Sequence, residues 1–305
     1  MASQRLVSGL PRIFPSLPPS LAPPCTPCVA GRLRATPHSS SLPPTTALFQ
    51  TLHLDVWGPA ARQGPEWERY FLVVVDDYSS YTTVFPLAKK SEVTSTLIRW
   101  LLTTADTRGS RVRCLHSDRG GEFRSYVLTG FCGEQGIAQS WTLPESPQQN
   151  GVAERRIGLV MDIARTSMIH ARAPHFLWPY AVRYAAHQLN LQPRVSRPGA
   201  SPTSLWTGSP GAGTVFRVWG CLALVRDTSA DKLSARAIPY VFLGFPVDSS
   251  DYTFYHPPFH RFLDSRDVRF DESVSYYTRY PCRGLPVLPP PLFLAPSPPP
   301  APAPP

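Results

Sequence analysis

Apolar and polar positions in the first half of the chain follow the pattern of a β-sheet. From residue 51 to residue 57 every second side chain is apolar, which predicts a strand with one apolar face and places Asp55 on the other face. Residues 70–75 are almost continuously apolar, which is typical of a strand covered on both faces. Turn-forming residues at 76–80 separate this strand from another at 82–87, so the pattern predicts a β-hairpin.

Segments with apolar residues at helical spacing come next. The spacing predicts helices over 91–104, 124–135 and 152–171, with short strands at 112–116 and 137–142 between them. The buried stripe of the third helix is expected to consist of Ala153, Ile157, Val160, Ala164 and Met168. The order strand, hairpin, helix, strand, helix, strand, helix predicts an α/β fold with a mixed sheet and flanking helices, rather than a doubly wound parallel sheet.

Beyond Pro198 the pattern changes to short strands. Glycine, proline and aspartate turns separate the apolar runs, which predicts a small β-barrel or a β-sandwich. The runs are 216–225, 240–245, 252–255 and 266–270. An all-β domain is therefore expected after the α/β domain.

Proline content and charge set the two ends of the chain apart from its middle. Of 37 prolines in 305 residues, 10 fall in 1–54 and 12 in 281–305, so both ends are expected to be mostly disordered. No acidic residue precedes Asp55, and the tails carry 5 of the +9 net charges. The remaining +4 permits a polyanionic partner for the middle of the chain without requiring one.

Several function classes are disfavoured by composition. No apolar stretch reaches the roughly 18–20 residues of a membrane span, so no membrane association is expected. Six cysteines, four of them scattered, do not form a disulfide framework, which favours a reducing compartment. No secretion signal is recognised in the proline-interrupted N-terminus.

Three acidic residues come from separate elements and could converge. Asp55 lies in the first strand, Asp118 follows the strand at 112–116, and Glu154 lies in the first turn of the helix at 152–171. Oxygen ligands of this kind suit Mg²⁺, and two such ions can clamp the attacking and leaving oxygens of a phosphoryl transfer. The alternative is that each acid has an ordinary structural role, as a solvated strand residue, a turn former or a helix N-terminal residue.

Asp76 and Asp77 form a rival carboxylate pair. Their position directly before the hairpin favours a turn role, and no third acid stands at comparable spacing.

The sequences of four segments resemble the integrase core of copia-type long-terminal-repeat retrotransposons, and the resemblance extends over residues 46–210. The segments are LHLDVWGP (52–59), YFLVVVDDYS (70–79), LHSDRGGEF (115–123) and SPQQNGVAERR (146–156). The resemblance implies a ribonuclease H-like fold and metal-dependent DNA strand transfer. It also implies that Asp55, Asp118 and Glu154, the last two separated by 35 residues, bind catalytic Mg²⁺ or Mn²⁺.

The rest of the chain also resembles copia-type polyproteins. The segments FRVWGCLALV (216–225), IPYVFLGFP (238–246) and SRDVRFDES (265–273) are similar to the SH3-like β-barrel that follows such integrase cores. The resemblance divides the chain into four parts. These are a proline-rich region with a remnant of a zinc-binding domain (1–45), an integrase catalytic core (46–210), an SH3-like β domain (211–280) and a proline-rich linker (281–305).

Polar residues around Glu154 are candidate DNA contacts. The amides of Gln148, Gln149 and Asn150 precede the helix in a proline-bounded loop, and the cations Arg155 and Arg156 follow Glu154. A plain polar loop and a solvated basic helix face are the alternatives.

A zinc half-site lies near the N-terminus. Cys25 and Cys28 form a CxxC pair that resembles the end of a His-His-Cys-Cys domain, but no histidine occurs before His38. Bound Zn²⁺ is therefore not expected in this truncated form.

Three functional hypotheses remain open at this stage. The first is a retrotransposon integrase that acts as a homo-oligomer on element cDNA ends and target DNA, in the nucleus or in a cytoplasmic virus-like particle. The second is a non-catalytic DNA-binding remnant of a truncated polyprotein. The third is a ribonuclease H-like nuclease.

Overall fold

The structure is a computed structural model that describes residues 45–108, 111–142, 151–193, 199–209, 216–228, 233–246 and 251–281. Several predictions fall outside the described residues. These are the disorder expected of the proline-rich ends, the zinc half-site (Cys25 and Cys28) and the amide loop (Gln148, Gln149 and Asn150).

The first half of the chain forms a five-stranded mixed sheet. Its strands are β1 (Leu52–Trp57), β2 (Tyr70–Asp76), β3 (Thr82–Leu87), β4 (Cys114–Ser117) and β5 (Ala138–Trp141). They lie in the order β3-β2-β1-β4-β5. The first three strands pair antiparallel, whereas β4 is parallel to both β1 and β5. The predicted hairpin and the predicted mixed sheet are therefore confirmed.

Five helices accompany this sheet: α1 (Val93–Arg108), α2 (Tyr126–Gln135), α3 (Gly151–Ala171), α4 (Trp178–Leu191) and α5 (Pro202–Thr207). The first three match the predicted helices. α1 starts two residues later than its prediction because residues 90–92 form a 3₁₀ turn, and it extends four residues further.

α4 and α5 were not predicted from the sequence. Most of the α4 residues are buried, and the less buried residues Tyr180, Arg183 and His187 recur at helical spacing. Its N-terminus also lacks a side-chain cap.

The sheet is covered on both faces, as the apolar run of β2 predicts. Phe71, Val73 and Val75 pack into a core with α3 and α4, whereas Leu72 and Val74 pack into a second core with α1 and α2. The alternation of a strand thus assigns each side chain to one of two cores.

The second half of the chain forms an antiparallel sheet. Its strands are β6 (Cys221–Arg226), β7 (Ala237–Gly244), β8 (Tyr252–His256), β9 (Arg261–Ser265) and β10 (Val268–Ser275), in the order β10-β6-β7-β8-β9. Irregular pairing at two places, in β7 against β8 and in β10 against β6, disturbs the ladder. A short helix, α6 (Tyr276–Arg279), follows.

The two sheets share one hydrophobic core through α3 and α4. The ring of Tyr180 stacks on Phe262 at 5.1 Å, and the ring of Tyr184 meets Phe242 edge-on at 5.8 Å. The end of α3 joins the same junction, because the Ser275 hydroxyl donates to the carbonyl oxygen of Ala171 at 2.8 Å. The second sheet is therefore packed onto the helices of the first rather than tethered by a linker alone.

Gly220 is the tightest point of this junction. Its φ of 77° lies in the left-handed region, and a Cβ added there would overlap the Cβ of Ala171. A glycine is required both by the backbone conformation and by the close approach of β6 to α3.

We expect Gly220→Ala to lower the free energy of unfolding by about 2–4 kcal/mol, because backbone strain and overpacking both oppose it. Equilibrium denaturation in urea measures the change. The matched control is Gly133→Ala, at a helical position of α2 where an added Cβ meets nothing within 4 Å. The control is expected to stabilise by up to about 1 kcal/mol. Equal stability of the Gly220→Ala variant and the parent would contradict the close approach.

Candidate active site

The parallel pairing of β1 with β4 places two of the predicted acids side by side. His53 is the register partner of His116. Asp55 and Asp118 each follow two residues later, and side chains two residues apart on a strand project from the same face. Asp118 lies just beyond the end of β4, next to β1. The two carboxyl groups therefore leave the same face of the sheet at neighbouring positions.

Glu154 approaches this face from α3. The helix packs on the sheet through Ala153, which is fully buried, so Glu154 lies at the margin of the packed face and is exposed. Asp55 and Glu154 line one open cleft of about 380 Å³. The other lining residues are Val56, Trp57, Gly58, Pro59 and Ile157. The described residues thus bring all three predicted acids to the same edge of the sheet.

The electrostatics of Asp55 reflect this arrangement. Burial raises the pKa of Asp55 to about 6, and the neighbouring charges of Asp118, Glu154 and Glu122 raise it further. The backbone N–H of Val56, which donates to Oδ1 at 2.8 Å, opposes the shift. Neighbouring carboxylates therefore disfavour the ionised form of Asp55, and a bound cation would offset their effect.

The donor atoms suit a hard divalent cation such as Mg²⁺, which prefers carboxylate oxygen. Within the described residues, no three His, Cys, Asp or Glu side chains converge closely enough to hold a metal ion as they stand. The residues fit such an ion by chemistry and by their shared edge, and side-chain rotation has to bring them to coordination distance.

Gly120 leaves room for the carboxyl groups of Asp118 and Glu122 to lie close to the same point of the backbone. The Gly120 N–H donates to Asp118 Oδ1 at 2.9 Å. A Cβ added to Gly120 would lie 2.9 Å from the carboxyl carbon of Glu122 and 3.0 Å from Asp118 Oδ1. A Cβ at this position would require the Glu122 carboxylate to shift and would crowd Asp118 Oδ1.

Glu122 was missed by sequence reasoning. It lies in the 3₁₀ turn Gly121–Phe123, and the Lys90 ammonium contacts its Oε1 at 3.1 Å. The signal available in the sequence was an acid four residues after Asp118, directly after two glycines. The spatial pairing with Lys90, 32 residues away, could not be read from that signal.

A polar layer supports the site from below. His53 is only 1% exposed, its Nε2 lies 3.1 Å from Asp77 Oδ1, and its ring meets that of His116 at 5.3 Å. The hydrogen bond with His53 lowers the pKa of Asp77, so the Asp77 carboxylate stays ionised. Each histidine precedes its acid by two residues, His53 before Asp55 and His116 before Asp118, and projects from the same face of the sheet.

The predicted turn role of Asp76 is confirmed. Its Oδ2 accepts hydrogen bonds from the N–H and the hydroxyl of Ser79, and its Oδ1 accepts from the Phe49 N–H. Asp77 lies in the same turn but uses its carboxylate to bind His53 and Thr45.

The cations next to Glu154 lie on the first turns of α3. Arg155 is exposed and Arg156 is half-buried. None of the helices in the described part of the chain has the length and apolar content of a membrane span.

Two protein families match successive parts of the chain. Residues 46–147 match the integrase core domain, and residues 220–282 match the retroviral polymerase SH3-like domain. The chain therefore combines an integrase core domain with a retroviral SH3-like domain.

The most similar curated proteins include retrotransposon polyproteins of plants. The retrovirus-related Pol polyproteins from transposons RE2 and RE1 of Arabidopsis thaliana are each 29% identical, over 81% and 84% of this chain and 17% of each relative. The polyprotein from transposon TNT 1-94 of Nicotiana tabacum is 29% identical over 82% of this chain and 19% of its own length. The copia-type relationship predicted from the sequence is confirmed, and the chain spans less than a fifth of these relatives.

Solved structures similar to this chain include two viral integrases. The HTLV-2 integrase catalytic core domain in complex with magnesium is 18% identical, with a TM-score of 0.41, over 52% of this chain and 97% of that chain. An integrase chain of the simian T-cell lymphotropic virus intasome is 14% identical, with a TM-score of 0.46, over 81% of this chain and 87% of that chain. The mixed sheet with the order β3-β2-β1-β4-β5 and the integrase core match both agree with the ribonuclease H-like fold that the sequence predicts.

The raised pKa of Asp55 predicts a pH-dependent stability. Because its folded pKa of about 6 exceeds the ordinary aspartate value of 3.8, the folded protein binds the proton more tightly. Stability from this group is complete below pH 4 and is lost as the pH rises to about 6. We expect Asp55→Asn to be more stable than the parent by about 1–3 kcal/mol at pH 8 without metal, and equally stable at pH 4. Denaturation at both pH values measures this.

Glu134→Gln is the control, since Glu134 is an exposed carboxylate on α2 away from the cleft, and we expect no comparable change. A stability difference for Asp55→Asn that is constant from pH 4 to pH 8 would contradict the raised pKa.

Proposed function

We propose that the acidic cleft catalyses metal-dependent DNA strand transfer, joining the 3′ ends of an element cDNA to target DNA. The observation that carries the proposal is the placement of Asp55 and Asp118 on one face of neighbouring parallel strands, with Glu154 across the same cleft. An integrase core domain over residues 46–147 supports the same reaction class.

In this proposal the three carboxylates hold the divalent ions. Two such ions, when bound, activate the attacking 3′-hydroxyl and stabilise the leaving oxygen of an in-line displacement. Asp55 from β1, Asp118 from the end of β4 and Glu154 from α3 would hold such ions through their carboxylate oxygens. The carboxylates of Asp118 and Glu154 raise the pKa of Asp55, and a cation bound beside Asp55 would favour its ionised form.

DNA is the proposed partner of the surface around the cleft. Arg155 and Arg156 would contact phosphates, and Gln148, Gln149 and Asn150 would reach phosphate or base edges. Paired cDNA ends imply more than one copy of the chain, so we include a homo-oligomer in the proposal. The proposed compartments are the nucleus and a cytoplasmic virus-like particle.

Strand transfer from a duplex with a recessed 3′ end into a plasmid, in Mg²⁺ or Mn²⁺, tests the proposal. We expect Asp118→Asn to reduce joining by about 100-fold or more, because it removes a metal ligand while keeping the size of the side chain. Glu134→Gln, outside the cleft, should join at the parent rate. Joining by Asp118→Asn at the parent rate would refute the assigned site.

A non-catalytic DNA-binding remnant is the second candidate. It is favoured by the observation that, among the described residues, no three potential ligands converge to coordination distance. Tight DNA binding by the parent without joining in either metal would support this candidate. Cleavage of an RNA and DNA hybrid without joining would instead indicate a nuclease.

The role of Arg155 can be tested by salt dependence. If Arg155 contacts one phosphate, Arg155→Ala should weaken DNA binding and reduce the slope of log affinity against log salt by about 1. Fluorescence anisotropy at several salt concentrations measures both quantities. Arg99→Ala is the matched control, since Arg99 is an exposed arginine on α1, on the opposite side of the sheet. Equal slopes for the parent and Arg155→Ala would exclude the contact.

A further inference from the structure

Lys90 and Glu122 form an ion pair next to Asp118, since the carboxyl groups of Glu122 and Asp118 both lie close to Gly120. The Lys90 Nζ lies 3.1 Å from Glu122 Oε1, and the Lys90 side chain is 50% exposed whereas that of Glu122 is 13% exposed. Lys90 belongs to the 3₁₀ turn before α1, and Glu122 to the turn that follows Asp118. An exposed cation is therefore held by a mostly covered acid.

Glu122 interacts electrostatically with the predicted metal ligands. Its charge contributes, with those of Asp118 and Glu154, to the raised pKa of Asp55. Its carboxyl group and that of Asp118 flank the same backbone position, Gly120. Glu122 is thus a fourth carboxylate beside the three, and Lys90 neutralises it.

The turn that carries Glu122 is fixed without the help of this ion pair. The Thr94 hydroxyl donates to the carbonyl oxygen of Glu122 at 3.2 Å and lies 2.9 Å from the Ser125 hydroxyl. Ser125 in turn caps α2, accepting from the Leu128 N–H. Because these bonds tie the turn to α1 and α2, Lys90 can leave Glu122 while the Glu122 backbone stays in place.

We propose that Lys90 exchanges between Glu122 and a DNA phosphate, so that DNA binding frees Glu122 and thereby strengthens divalent-metal binding in the cleft. This inference rests on the proposed function, since it concerns metal and DNA at the same site. A half-exposed ion pair contributes little free energy and is therefore cheap to break. A phosphate offers Lys90 an equal charge together with the release of counterions. By linkage, metal must strengthen DNA binding by the same factor.

Metal titration of the full chain, with and without a duplex oligonucleotide, tests the exchange. Mn²⁺ binding is followed by electron paramagnetic resonance, and the readout is the ratio of the two metal affinities. We expect this ratio to be about 2- to 5-fold larger in the parent than in Glu122→Gln. That range corresponds to the free energy that one exposed ion pair contributes. Lys90→Met should bind Mn²⁺ about 2- to 5-fold more tightly than the parent without DNA, because Glu122 is already free.

Lys89→Met and Glu134→Gln are matched controls at exposed positions, and both should leave the ratio unchanged. If Glu122→Gln has the same ratio of Mn²⁺ affinities as the parent, the proposed exchange of Lys90 is refuted. If Lys90→Met weakens Mn²⁺ binding as Glu122→Gln does, the pair only supports the fold, and the proposal is overturned.

DNA affinity in EDTA separates this inference from the proposed function. Glu122→Gln should tighten metal-free DNA binding about 2- to 5-fold when Lys90 is present, and not in the Lys90→Met background. An equal effect in both backgrounds overturns the exchange. Unchanged Mn²⁺ affinity in Asp118→Asn would refute the proposed metal site, whichever way the DNA result falls.

Discussion

The parallel pairing of β1 with β4 is the constraint on which the acidic cleft depends. It joins strands that are separated by the whole hairpin and α1, and it sets His53 opposite His116. A slip of one residue in this register would turn Asp118 to the other face of the sheet, toward the core of α1 and α2. The burial of Leu115 in the core of α1 and α2 opposes such a slip, because a shift by one residue would move Leu115 out of that core.

The local pattern of the sequence was sufficient for most of the first sheet. Alternation in β1, the continuous apolar run of β2 and the stripe of α3 each reflect a burial period that the structure retains. α4 was missed although the same kind of period is present in it, since its less buried residues Tyr180, Arg183 and His187 recur at helical spacing. Its packing against the second sheet, through Tyr180 and Tyr184, is a tertiary fact that no window of sequence contains.

Three of the acids could be selected from the sequence, whereas the fourth, Glu122, was recognised only from the structure. Asp55, Asp118 and Glu154 could be selected because their spacing and wording resemble a known family, and the topology then brings them to one edge. Glu122 lies in one of the same segments but was not selected, although its charge contributes to the raised pKa of Asp55. Its importance arises from Gly120, which lets two negatively charged groups flank one point of the backbone, and from Lys90 on a distant turn. Electrostatic coupling of this kind depends on distances that a linear pattern does not encode.

The shared core of the two sheets has a consequence for the geometry of assembly. Bending the molecule between its halves would require pulling Tyr180 and Tyr184 out of an apolar junction and opening the close contact of Gly220 with Ala171. No pivot is available at that point, so the halves travel together. If the chain binds DNA as proposed, a curved DNA has to be accommodated by the arrangement of separate copies around it or by distortion of the DNA itself.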